Sequence, residues 1–160
     1  MPLREINLVI HFLGFGLFVM LLIAGFMVER QYRKAPNTQA KATILGVARS
    51  MALFGPVSIL IMLLTGIGNM HFIGVGLFDF GWLTAKVIFF AIAATNGLIF
   101  GMRSRKRGAL IMQMVKGEAT PDAETTLKQF DKQQSLFFFV NGIMLLVIVS
   151  LSVYGRLGGQ

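Results

Sequence analysis

Three residues carry most of the chemistry this chain can offer: His11, His71 and Lys86. His11 sits in "VIHFLGFG". The other two fall within "NMHFIGVGLFDFGWLTAK" at 69–86, a stretch that is otherwise almost wholly apolar. Two neutral imidazoles on different helices can ligate one haem iron axially, with the macrocycle between the helices. Lys86 then pairs with a haem propionate or with Asp79. Alternatively, burial suppresses its charge and it ligates iron or handles protons. Each residue also has a plainer reading. His71 is an interfacial histidine in water, His11 a structural histidine bonded to a neighbouring helix, and Lys86 a lysine that snorkels to the surface on its long stem. Asp79 reads as solvated. Asn96 and Asn141 read as a second polar pair that bonds each other or a helix backbone.

These groups must be positioned by membrane helices. The chain has 160 residues, 55% of them hydrophobic, with a mean hydropathy of +0.71. Apolar runs cover about 6–28, 47–71, 82–102 and 136–154. A helix needs about 20 residues to cross the hydrocarbon core. The runs are too long for strands and do not alternate. The expectation is therefore an all-α antiparallel four-helix bundle, a single transmembrane domain over 1–160. The first run is too long for the apolar region of a signal peptide, and "AGFMVERQY" offers no small-x-small cleavage site. The chain has no cysteine. That removes disulfides, iron–sulfur clusters, thiolate metal sites and c-type haem attachment. The Met residues are scattered, which speaks against a thioether copper site.

The net charge of +8 does not point to nucleic acid. Arg30, Arg33, Lys34, Lys41 and Arg49 cluster after the first run. Arg103, Arg105, Lys106, Arg107, Lys116, Lys128 and Lys132 cluster after the third, and the connection at 71–81 has no Lys or Arg. This asymmetry is the positive-inside pattern. It places both basic segments in the cytoplasm and both termini outside, in a bacterial inner membrane. Anionic lipid headgroups are the expected partners of "RSRKR" at 103–107. Subunits of a larger membrane complex are a further expectation.

Topology converts positions to depths. His11 lies about 8 Å below the outer end of the first helix at 1.5 Å per residue. His71 closes the second helix at that end, and Lys86 lies about one turn into the third. Ionisable groups inside membrane helices are costly, and function is the default reason for them. Pro56 is expected to kink the second helix. "GLIFG" at 97–101 is a GxxxG that permits close backbone approach. Thr120 and Pro121 are expected to start a helix that runs into the fourth span, and "GALIMQMV" at 108–115 to lie on the membrane surface.

The stretches "HFLGFG" and "GWLTAK" resemble small four-helix membrane proteins of the HemJ protoporphyrinogen oxidase type and the related copper-resistance-D-like proteins. The resemblance covers helix number and spacing over most of the chain, but only these two motifs in residues. It implies association with b-type haem, functional roles for His11 and Lys86, and Trp82 as a motif residue. It leaves three functions open. The chain binds haem b and passes electrons near the outer face, or oxidises protoporphyrinogen, or serves as a non-catalytic subunit of a membrane complex. A transporter is disfavoured, because there is no internal repeat and no carboxylate within a span.

Overall fold

A computed structural model describes residues 2–158. The chain forms five helices: α1 (Leu3–Lys34), α2 (Thr38–Ser50), α3 (Phe54–Ile73), α4 (Gly81–Lys116) and α5 (Ala123–Arg156). There is no strand among the described residues. Taken together, α2 and α3 make one membrane-length segment, so the chain has four helical segments long and apolar enough to span a bilayer. The all-α four-helix bundle is the fold.

The helices outrun the membrane. The spans contain 32, 36, 36 and 34 residues, whereas a 30 Å hydrocarbon core takes about 20. The surplus lies at one end, where the basic residues are. There α1 continues past Val28, α4 past Met102, and α5 begins well before Leu136. The segment 103–116, expected to leave the bundle and lie on the membrane, instead prolongs α4 unbroken. Arg, Lys, Leu and Met are all strong helix formers. Leu110, Ile111 and Met114 also share one side of the helix and have somewhere to pack. They meet Tyr32, Leu127, Ala42, Ile44 and Leu45 in a compact core at this basic end.

Two other local expectations are corrected. Pro56 does not kink a continuous helix. The chain breaks at 51–53, and Pro56 is the third residue of α3. In the first helical turn an N–H has no intrahelical partner, so proline's missing donor costs nothing there. The cap of α5 is Asp122, not Thr120. The Thr120 side chain hydrogen-bonds the Asp122 carboxyl and holds it below the usual carboxylate range. As expected, α5 then runs straight into the fourth span. Glycine closes α3 and α4: Gly74 and Gly117 take left-handed φ of 73° and 75°. The following amides, of Val75 and Glu118, reach back to Met70 O and Gln113 O at 3.1 and 2.9 Å.

In the spans, α1 packs against α3 and α4 against α5, and the two pairs touch sparingly. Large apolar side chains such as Leu13, Ile23, Leu64, Leu98 and Leu146 point outward, as lipid requires. The α4/α5 register holds over a long distance. Trp82 meets Gly155, Phe100 stacks on Phe137 at 3.7 Å, and Arg107 reaches Asp131. The close approaches are not at the GxxxG. A Cβ on Gly101 would meet nothing within 4 Å and one on Gly97 only Ile59, at 3.8 Å. A Cβ on Gly14 would instead fall 2.6 Å from Ile61, and one on Gly155 2.6 Å from the Trp82 indole. Between the pairs, Phe26 meets Phe138 edge-on at 6.2 Å.

Candidate functional site

At the histidine end a polar ladder joins α1 to α3. Asn7, His11 and Gly14 recur at helical spacing on α1, and Ser58, Met62, Thr65 and Asn69 do so on α3. The two rows face each other. Asn7 Nδ2 donates to Asn69 Oδ1 and to Thr65 O, both at 2.9 Å. Gly68 leaves room for this, since a Cβ there would lie 2.8 Å from Asn7 Oδ1. His11 Nδ1 lies 2.8 Å from Thr65 Oγ1. The Thr65 hydroxyl has a single proton, and it donates that proton to Ile61 O at 2.5 Å. Its oxygen therefore accepts from His11 Nδ1–H. In the neutral ring this fixes the tautomer and leaves the Nε2 lone pair uncommitted.

Lys86 is half-buried on α4, one helical turn beyond Trp82. It makes no ion pair with Asp79, whose carboxylate accepts from Gly76 N at 2.6 Å instead. Trp82 lies flat on the backbone of α5 at Gly155 and stacks on Phe80 at 6.1 Å. His11, Lys86 and Trp82 are thus gathered at one end. His71 is not brought to His11. Asn69 faces α1, and His71, two residues on, is turned about 200° round the helix at 100° per residue. It is exposed, and its aromatic neighbour is Phe72. Asn141 bonds the backbone of its own helix, at Phe137 O and 3.0 Å, while Asn96 lines a small crevice with Phe100, Arg103 and Gln134.

The most heavily built polar site lies at the other end and was not anticipated. Arg107 is completely buried. Its Nη1 and Nη2 donate to the two Glu29 oxygens at 2.7 and 3.3 Å. Its Nη2 also lies 2.6 Å from Asp131 Oδ1. The guanidinium stacks over the Tyr32 ring at 3.7 Å. Arg33 completes the cluster, donating to Glu29 Oε1 at 3.0 Å, to Asp131 O at 2.9 Å and to the Ser135 hydroxyl. Two arginines and two carboxylates cancel, and α1, α4 and α5 are joined. Arg107 therefore leaves the "RSRKR" set expected to meet lipid headgroups, whereas Arg103, Arg105 and Lys106 are exposed. The signal for this cluster was available in the helical spacing of Leu127, Asp131 and Gln134 on α5 and of Glu29 and Tyr32 on α1. It is masked by the high charge of the segments that carry it.

No group of three or more His, Asp or Glu side chains is arranged around a common metal position among the described residues. No family model, curated protein or solved structure matches the chain.

Proposed function

We propose that the chain is an integral membrane protein that binds b-type haem at the histidine end and passes electrons there. In this reading the basic helix ends are cytoplasmic and both termini lie outside. One observation carries it. His11 Nδ1 is held 2.8 Å from Thr65 Oγ1, so the imidazole presents Nε2 from within a membrane span, as a metal-bound histidine does when its other nitrogen is held by a hydrogen bond.

His11 would offer a haem iron one imidazole nitrogen, and His71, exposed and turned away from α1, would not supply a second from the same chain. Lys86 and Trp82 share the layer of His11 and suit a propionate and a flat ring face, respectively. Haem, when bound, supplies one-electron redox chemistry. Thr65 holds the His11 ring against rotation, Asn7 and Asn69 fix the register of α1 on α3, and the surrounding apolar side chains exclude water.

The test is a reduced-minus-oxidised visible spectrum of the purified chain in mild detergent. A sharp α-band and Soret shift at about one haem per chain, lost in His11→Ala and kept in His71→Ala, is the expected result. A flat spectrum from protein expressed with ample haem removes the reading.

Protoporphyrinogen oxidation is the related alternative, favoured by His11 and Lys86 sharing a layer. Complementation of a strain lacking that oxidase separates it. A subunit role is favoured by a shallow apolar groove along α1, lined by Gly16, Val19, Met20, Ile23, Ala24 and Met27. Migration as a lone small species on native electrophoresis would count against it.

A further inference from the structure

The two ends of the molecule treat charge differently. At the basic end the buried cation Arg107 has two carboxylates, and Arg33 shares one of them. At the histidine end Lys86 and Arg156 have no carboxylate partner among the described residues. Lys86 is half-buried, five residues into α4, and forms no ion pair or hydrogen bond with any described residue. Trp82, one turn of α4 before Lys86, lies on Gly155 of α5, and the next residue of α5 is a second cation, Arg156. Its guanidinium lies 5.8 Å from the Phe12 ring, between α5 and α1.

Two described acids exist on this side. Asp79 is spent on Gly76 N at 2.6 Å, and Glu5 is exposed and unpaired. The α4 N-terminus adds partial positive charge around Lys86. A lysine that only snorkels has no reason to be set beside a like charge, because like charges in a partly desolvated site repel. The pairing of α4 with α5 holds the two cations in place, through Trp82 lying on Gly155.

We propose that Lys86 and Arg156 form an anion site at the histidine end that takes the carboxylate or phosphate group of an amphipathic molecule. The depth supports an amphipathic ligand. Five residues of helix put Lys86 about 7–8 Å below the start of α4, at the level where a headgroup meets its chain. Phe12 and Trp82 supply apolar walls beside the charges. The site shares Lys86 with the haem reading but does not rest on it.

The test uses the full chain purified without haem, so that failure of haem binding leaves it intact. Native mass spectrometry follows the binding of phosphatidylglycerol against phosphatidylcholine, and of oleate against methyl oleate. The unmodified chain is expected to prefer at least one anionic probe to its neutral counterpart by about tenfold, the worth of one charge-assisted contact. Lys86→Gln and Arg156→Gln each remove that preference, and Lys116→Gln, exposed at the basic end, keeps it. Dependence of phosphatidylglycerol alone on Lys86 identifies a lipid headgroup, and dependence of oleate alone identifies a carboxylate ligand. Either supports the site. Arg156 lies at a helix end, so Arg156→Gln reads the site even if Lys86→Gln fails to fold. Equal binding of both pairs of probes, or a preference unchanged in both variants, overturns the proposal.

Discussion

Replacing Arg107 with Met tests how the basic end is held together. Met keeps much of the stem that packs on Tyr32 but removes every ionic contact. Glu29, only 6% exposed, is then left buried with Arg33 as its remaining partner. Asp131 has a side chain 27% exposed and recovers water more easily. Breaking one side of a buried pair costs about 3–5 kcal/mol, because the stranded charge pays its desolvation without compensation. With Arg33 still on Glu29 and Asp131 part-solvated, the lower figure of about 3 kcal/mol is expected. Neutralising the stranded charge should reverse part of the loss, so the Glu29→Gln, Arg107→Met double variant is more stable than Arg107→Met alone. Equilibrium unfolding in mixed micelles with increasing dodecyl sulfate, followed by the fluorescence of the single Trp82, gives both numbers. A loss below about 1 kcal/mol for Arg107→Met, or a double variant less stable than the single, would refute the idea that a stranded carboxylate sets the cost.

Thr65→Val removes the acceptor for His11 Nδ1–H; a loss of about 1–2 kcal/mol in thermal unfolding is expected, with weaker haem retention if the haem reading holds. Gly155→Ala places a methyl group against the Trp82 indole and should destabilise by about 1–3 kcal/mol with a shift in Trp emission, while Gly101→Ala, facing open space, is neutral or slightly stabilising. The Tyr32 hydroxyl is buried without a hydrogen-bond partner, so Tyr32→Phe should match the unmodified chain in melting temperature. Tyr32→Ala, which empties the core of the basic end, should cost about 3 kcal/mol or more.

The four crossings are legible in the sequence because lipid imposes one requirement on every exposed position, and long apolar runs meet it without knowledge of any neighbour. The extensions at the basic end are not legible by that criterion. Between residues 103 and 135 the mean composition is that of a loop; Thr120 and Pro121 signal the start of α5, but only the spacing of Leu110, Ile111 and Met114 betrays that α4 continues. The sharing of a layer by His11 and Lys86 follows from topology and depth alone. The orientation of His71 does not follow, because two residues of helix separate a side chain that faces α1 from one that faces away. The partner of His11 is a threonine, a residue common in membrane helices for backbone bonding, and nothing in its type marks it until the register of α1 on α3 is known.

The charge cluster also bears on the order in which the molecule is assembled. Glu29 and Arg107 stand 78 residues apart. At a synthesis rate of about 5–20 residues per second, Glu29 waits roughly 4–16 s for its guanidinium. Arg33, four residues on and 3.0 Å from Glu29, is made almost at once, so a partner for Glu29 exists before Arg107 does. The cluster therefore closes late, when α4 and α5 have been made and Asp131 has joined from the far side. The Arg107–Asp131 contact, which needs α5, thus marks a chain whose fourth span has been made.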